Sequence, residues 1–373
     1  MTPLPDLWPA GFDERLAERA RRPGPVALTG PPGAGKTTLL LRVAERLRGA
    51  GWACVYLDLM AAASSPDRFV TAALDVMPVE SFGTRLPEAV RIRRLASSGR
   101  AHEASAVEAL FTLWASLPAS GARPVALLLD EATEIRSLAY FKGLREVHVP
   151  FLDALARRGG GTLLATSYPT QARRLWPALE TIDAAPLAVS DVAAVLDKAG
   201  LRAEASTLVA ASGGWPRYLR VLLEGLLARQ DVATTWADEM APGARLDVLC
   251  RHTHEALLLR SRGYGMSKAV LAAVAAEEGL NLTALVGRLG RTPGAVRDYL
   301  VWLVGVDALR MVKKRYFYVD PVLRAWVRLH GRGRPPLAAE LRAGAAAFTG
   351  QATGAAETPA AVEPRRDSLM EID

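Results

Sequence analysis

Short apolar runs alternate with helical repeats along the first half of the chain. Val26-Ala27-Leu28-Thr29 follows Pro25 directly and has the pattern of a strand buried on both faces. Leu39, Leu40, Val43, Ala44 and Leu47 then recur at helical spacing, and Gly49 and Gly51 end that helix. Apolar runs predict further strands at 53–57 (ending at Asp58), 125–129 and 162–166, with a short fifth at 186–189. Residues 60–120 predict helices near 67–77 and 103–117, joined by a segment rich in arginine (Arg85, Arg91, Arg93, Arg94, Arg100). Strand and helix in alternation argue for a parallel sheet with helices on both faces.

Beyond residue 189 the helical period takes over. One helix is expected from a Ser190 cap to Ala199, stopped by Gly200; another lies near 203–211; a third starts at Pro216, which suits a first helical position. From Met266 to about Leu329 the order is helix, helix, helix, two short strands, helix. Thr292 caps the helix that starts at Pro293, and Val296, Leu300 and Leu303 share one of its faces beside Tyr299. Residues 308–312 and 316–319 alternate across a Lys313-Lys314-Arg315 tip, so the whole reads as a winged helix-turn-helix. From Gly331 alanine, glycine, proline and threonine dominate, and the expectation is a mostly disordered tail.

Composition narrows the setting without fixing the chemistry. Half of the 373 residues are hydrophobic and 23% are charged, which is ordinary for a soluble chain with a substantial core. The net charge of +7 permits an anionic partner but does not require one. Cys54 and Cys250 each sit in an apolar run and read as core thiols of a reducing compartment. The first residues lack the pattern of a secretory signal, and no run has membrane-spanning length, so a cytoplasmic protein without a membrane partner is expected. The histidines lack metal-ligand spacing with cysteines or acids, and no zinc site is expected.

Gly30-Pro31-Pro32-Gly33-Ala34-Gly35-Lys36-Thr37 carries the most specific chemistry. It fits G-x-x-x-x-G-K-[ST], placed between a strand and a helix. Glycines let the backbone curl so that successive N–H groups face phosphate oxygens. Lys36 reaches the β- and γ-phosphates, the Thr37 hydroxyl suits Mg²⁺, and Thr38 completes the phosphate-binding set at the helix start. Downstream, Leu127-Leu128-Leu129 ends in Asp130 and Glu131, two carboxylates at the C-terminal end of a strand, where ligands of open α/β sheets sit.

With these motifs the chain resembles P-loop ATPases of the AAA/STAND type, the archaeal-type AAA ATPases with a C-terminal winged helix. The Asp130-Glu131 pair resembles a Walker B motif, which implies that Asp130 holds Mg²⁺ with Thr37 and that Glu131 polarises the attacking water. Thr166-Ser167 then implies a sensor 1 role, with Thr166 as the side chain that contacts the γ-phosphate or the attacking water; an ordinary strand-end hydroxyl is the alternative. Gly213-Gly214-Trp215-Pro216-Arg217-Tyr218-Leu219 resembles the G-G-x-P-x-x-L segment of these families, which implies Pro216 against the nucleotide and Arg217 on a phosphate; a plain helix–turn–helix joint is the rival account. Arg173 and Arg174 fit either an arginine finger or an exposed helix face. The resemblance departs at the N-terminus, where Gly11-Phe12-Asp13-Glu14-Arg15-Leu16 disturbs the usual adenine-holding box.

The implied architecture is an α/β P-loop core over residues 1–189, a helical lid over 190–262, a winged helix over 263–330 and the tail. The implied function is an ATP- and Mg²⁺-dependent switch that hydrolyses slowly. Alternatives are an initiator- or transposition-type ATPase stimulated by duplex DNA, and an ATP-bound scaffold that does not turn over. Arg291, Arg297, Lys313, Lys314 and Arg315 are the DNA-facing candidates; a protein partner or a second copy of the chain is the other reading of the same module.

Overall fold

The computed structural model describes residues 6–350 apart from positions 10, 100, 101, 122, 229 and 262. Its N-terminal half runs α1 (Phe12–Arg21), β1 (Val26–Thr29), α2 (Lys36–Gly49), β2 (Ala53–Asp58), α3 (Leu59–Ala62), α4 (Pro66–Asp75), α5 (Val79–Phe82), α6 (Leu86–Ser97), α7 (Glu103–Ser116), β3 (Val125–Asp130), α8 (His148–Ala156), β4 (Thr162–Thr166), α9 (Pro169–Leu175) and β5 (Glu180–Asp183). The strands form one parallel sheet in the order β2-β3-β4-β1-β5. This is an α/β P-loop NTPase fold.

The period of two along each strand sorts its residues between two cores. Val26, Leu28, Ala126, Leu128, Leu163 and Ala165 face the core that holds α1 and α2. Ala27, Val55, Leu57, Leu127, Leu129 and Leu164 face the other, closed by α4, α6, α7 and α8 around Phe69, Phe111, Trp114 and Phe151. Arg91, Arg93 and Arg94 of the arginine-rich connection lie on the exposed side of α6, where Ile92 is buried; Arg85 precedes that helix, and Arg100 lies outside the described residues.

The fifth strand is not where the apolar run suggests. Residues 186–188 leave the sheet, Leu187 donates its N–H to the Gly214 carbonyl (2.9 Å), and Val189 already starts a helix. The actual strand, Glu180-Thr181-Ile182-Asp183, lies at the sheet edge with exposed ends. An edge strand needs no continuous apolar run, and so the pattern misses it.

A helical unit follows: α10 (Val189–Ala199), α11 (Ala205–Ser212), α12 (Pro216–Leu227), α13 (Val232–Glu239) and α14 (Arg245–Arg260). Ser190 is not the cap of α10. Ala188 holds that position, and its N–H donates to the Asp191 carboxylate at 3.0 Å. The next unit runs α15 (Tyr264–Ala276), α16 (Leu282–Leu289), α17 (Pro293–Gly305), an antiparallel hairpin of β6 (Leu309–Val312) and β7 (Arg315–Tyr318), and α18 (Pro321–His330). Thr292 caps α17 as expected. Both units share one continuous core with the α2 face of the sheet. Cys54 and Cys250 are free and buried.

Residues 338–350 contradict the expected disorder. They form α19 (Ala338–Gly350), which packs on α13 and α11 with Leu341 and Ala345 buried. Phe348 stacks on Trp236 with centroids 5.5 Å apart. Positions 341, 345 and 348 share one helix face, and the small alanines between them favour helix and permit close approach. The remainder of the expected tail, 351–373, lies outside the described residues. No helix among the described residues is long and apolar enough to cross a membrane.

Candidate functional site

β4 lies between β1 and β3, so the ends of three parallel strands converge on one crevice. There a cavity of about 650 Å³ opens between the sheet, the helical unit and the C-terminal unit. Its walls include the turn before α2, Glu131 after β3, Ser167 after β4, Pro216 and Arg217 of α12, and Asp307 and Asp320 of the C-terminal unit.

The turn between β1 and α2 depends on its glycines. Gly33 and Gly35 have φ of +83° and +82°, a region that other residues enter only with strain. Space demands them as well. A Cβ on Gly33 would lie 1.9 Å from Cδ of Arg217, and one on Gly35 would lie 2.9 Å from Cζ2 of Trp8. The first N–H groups of α2 have no acceptor within the helix, so the turn offers amides and the positive end of a helix to an anion. Pro31, Pro32, Gly33, Gly35, Lys36, Thr37 and Thr38 line the cavity. Gly30 and Ala34 do not. The Gly30 N–H donates to the Thr166 carbonyl (3.4 Å), the Ala34 N–H donates to the Pro31 carbonyl (3.1 Å), and the Ala34 side chain is buried. These two shape the turn from behind.

Lys36 is 4% exposed, and its ammonium donates to the Pro31 carbonyl (3.0 Å) and the Ser167 hydroxyl (2.9 Å). Burial lowers its pKa from the usual lysine value; Glu131 and Asp130 resist that shift and Arg217 adds to it. The Thr37 hydroxyl donates to Oδ2 of Asp130 at 2.6 Å, and Tyr56 donates to the same oxygen at 3.1 Å. Oδ1 of Asp130 accepts the Glu131 N–H at 2.9 Å. The Thr37 hydroxyl and the Asp130 carboxylate are thus adjacent hard-oxygen donors, a set that fits Mg²⁺ completed by phosphate and water. Among the described residues no group of three or more His, Cys, Asp or Glu side chains could hold a metal by itself.

Glu131 adopts a left-handed conformation (φ 47°, ψ 47°) that turns its carboxylate back toward β4. There it accepts the Ser167 N–H at 2.9 Å and the Ser167 hydroxyl. Burial raises its pKa, against the pull of Lys36 and of the Ser167 hydrogen bonds. Ser167 therefore bridges Lys36 and Glu131. Thr166 does not take part. Its hydroxyl pairs with Thr133 (2.8 Å) and accepts the Tyr168 N–H (3.1 Å), away from the cavity. The polar pair at the strand end was legible, but the alternation of sides along β4 gives the cavity to the second member.

Pro216 starts α12, and the Arg217 side chain crosses Gly33. The Arg217 guanidinium donates to Thr253 (2.9 Å), to the Tyr218 hydroxyl and to Oδ2 of Asp320 (2.7 Å), which also accepts the Tyr218 hydroxyl (2.8 Å). Oδ1 of Asp320 caps α18 through the Val322 and Leu323 N–H groups. Asp307, with φ of 55°, accepts the Thr170 N–H (3.0 Å) and hydroxyl (2.6 Å) at the start of α9. Burial raises its pKa. Arg173 and Arg174 are exposed on α9 and do not line the cavity.

Sequence reasoning missed Trp8, Arg220, Arg260, Asp307 and Asp320, which all line the cavity. None belongs to a motif. Only Trp8, an aromatic close to the disturbed N-terminal box, offered a signal; it is 8% exposed and stacks on Phe12 at 5.5 Å.

Residues 14–164 match the family model described as the AAA ATPase domain, a span that includes the glycine turn, Asp130 and Glu131. The chain is similar in fold to the Walker-type ATPase PABY2304 of Pyrococcus abyssi. Identity is 15%, coverage is 87% of this chain and 96% of that one, and the TM-score is 0.64. Weaker likenesses extend to Drosophila ORC bound to DNA (14% identity, 88% and 89% coverage, TM-score 0.41) and to Cdc6p from Pyrobaculum aerophilum (14%, 94% and 96%, 0.39). No curated protein matches the chain in sequence.

Proposed function

We propose that the protein, whose residues 14–164 match the AAA ATPase domain, is an ATP- and Mg²⁺-dependent switch of the AAA/STAND type that hydrolyses slowly. In this reading the core ends near residue 189, the helices over 190–262 are a lid, and residues 263–330 are a winged helix. The two buried thiols are in keeping with a reducing, cytoplasmic setting.

The observation that carries the proposal is the Arg217–Asp320 pair. Arg217 lies over the phosphate-binding turn, yet its partner belongs to the C-terminal unit. Triphosphate oxygens entering the turn would compete with Asp320 for that guanidinium, which gives nucleotide a differential contact between two arrangements of the C-terminal unit. Lys36 and the free amides of the turn would bind the phosphates. Thr37 and Asp130 would hold Mg²⁺, which supplies charge neutralisation on the phosphates. Glu131 would accept a proton from the attacking water once it leaves Ser167; this hydrogen bond, with burial, fits slow turnover. Trp8, against Gly35, would take the base end.

The test is calorimetry with Mg-ATP together with a turnover assay. Lys36→Ala is expected to abolish binding, and Glu131→Gln to bind normally and stop turnover. Equal turnover in Glu131→Gln and the parent would remove Glu131 from its role.

One observation favours a second reading, duplex DNA on the hairpin tip. Lys313 and Lys314 both have positive φ (49° and 62°) at a two-residue turn where Asn-Gly would be unstrained. Both are exposed, as are Arg291 and Arg315, while Arg297 is half-buried. Cations kept at a strained tip suit phosphate contact. DNA-stimulated turnover that is lost in Lys313→Ala/Lys314→Ala would favour it.

A further inference from the structure

We propose that Arg332-Gly333-Arg334-Pro335, in the link between α18 and α19, is a hook that enters the minor groove of A·T-rich duplex DNA. The inference deepens the duplex-DNA reading above and rests on it; it does not require nucleotide. The link is exposed from Gly331 to Pro335, and the Arg332 and Arg334 side chains are 54% and 50% exposed. Gly333 has φ of +74°, and nothing lies within 4 Å of where its Cβ would stand. The turn therefore needs glycine for its backbone and leaves open space beside it.

The two guanidinium groups converge. Arg334 grips Glu340 with both arms, Nη1 to Oε2 (2.8 Å) and Nη2 to Oε1 (2.7 Å). Nη1 of Arg332 donates to the same Oε1 (2.9 Å), while its Nε is held by the Arg328 carbonyl (3.0 Å). The Arg334 hydrogen bonds, followed by the Leu337 N–H, bring the Glu340 carboxyl down to about 2. Two cations thus share one carboxylate, and exposed pairs of this kind are held weakly. Arg328, exposed in the last turn of α18, adds a third cation beside them.

The residues around the arginines select the partner. A single phosphate or an acidic peptide would need only the two cations. A minor groove about 6 Å wide also needs a slim chain. Gly333 lets the backbone approach the groove floor, and Pro335 and Pro336 keep the exit extended. Arginine is planar and weakly hydrated, which suits the narrow, strongly negative groove of A·T tracts. There the base edges offer only acceptors, whereas guanine adds an amino donor that opposes a guanidinium. Glu340 gives up the arginines to those acceptors on binding.

The test measures binding of the full chain to two duplexes of equal length, one A·T-rich and one G·C-rich, over a range of salt. The A·T-rich duplex should bind about 10-fold more tightly, and netropsin, which fills the minor groove, should displace the chain. Arg332→Ala/Arg334→Ala should abolish the preference and lower the salt slope by about two. Arg332→Lys/Arg334→Lys should keep the slope and lose most of the preference, because charge remains without the planar fork. Glu340→Gln keeps an oxygen for the Leu337 N–H and should tighten A·T binding by about 2- to 5-fold. Melts of each variant check that the fold is intact. Equal affinity for the two duplexes, indifference to netropsin, or a preference that survives Arg332→Ala/Arg334→Ala would overturn the hook. A preference lost only in Lys313→Ala/Lys314→Ala would assign the DNA to the hairpin tip and overturn the hook as well. A parent that binds neither duplex at low salt overturns the duplex-DNA reading itself, before any variant is made.

Discussion

Asp320→Asn separates the two jobs of the Asp320 carboxylate. Asparagine keeps an oxygen for the Val322 and Leu323 N–H groups that cap α18. It removes the charge that faces Arg217. Both side chains of the pair are nearly buried, at 12% and 11% exposure, so solvent screens them little. Removing one partner of a buried pair costs about 3–5 kcal/mol, and the retained cap places this variant near 3 kcal/mol. At about 2–4 °C per kcal/mol, the melting temperature without nucleotide should fall by roughly 6 °C or more. Affinity should move the other way. In the parent, ATP must take Arg217 from Asp320; in the variant that guanidinium keeps only the neutral Thr253 and Tyr218 hydroxyls. If about half of the lost stability returns on binding, Mg-ATP should bind about 10-fold more tightly, since 1.4 kcal/mol is tenfold. Calorimetry gives the affinity, and thermal melts with and without Mg-ATP give the stability. Arg217→Ala is the control and should lose both stability and affinity. A destabilised Asp320→Asn with unchanged or weaker ATP binding would refute the competition between carboxylate and phosphate.

Gly33→Ala should abolish nucleotide binding, because positive φ adds about 1–2 kcal/mol of strain and the Cβ displaces Arg217; combining it with Arg217→Ala should relieve the clash but not the strain, as melts of the single and double variants would report. Burial raises the Glu131 pKa above the ordinary 4.5, so the acid limb of the kcat profile should lie above that value, with rate rising as the carboxylate ionises. The same shift has a stability sign. Protonated Glu131 favours the fold below the unfolded pKa, and that contribution is lost as pH rises through the folded pKa, so Glu131→Gln should melt higher than the parent at neutral pH, with the gap closing near pH 4. Phe348 is half-buried, so Phe348→Ala should destabilise the chain by about 1–2 kcal/mol by emptying the contact with Trp236, measured by denaturant titration; a change under about 0.5 kcal/mol would mean that α19 is not docked in solution.

Local chemistry and period were enough to read the elements that carry their own signal. The glycine turn, Asp130 and Glu131, the strands buried on both faces, Pro216 at the start of α12 and the Thr292 cap all lie in contiguous stretches, where backbone geometry and burial act within a few residues. β5 and α19 escaped because an edge strand and an alanine-rich helix take their stability from neighbours, Thr29 and Trp236 among them, that the chain supplies far away in sequence. Tertiary structure alone inserted β4 between β1 and β3, which brings Ser167 rather than Thr166 between Lys36 and Glu131. It alone carried Asp320 and Arg260 to the cavity, because long-range packing sets the angle between layers and no pattern along the chain encodes which charged side chain will face which.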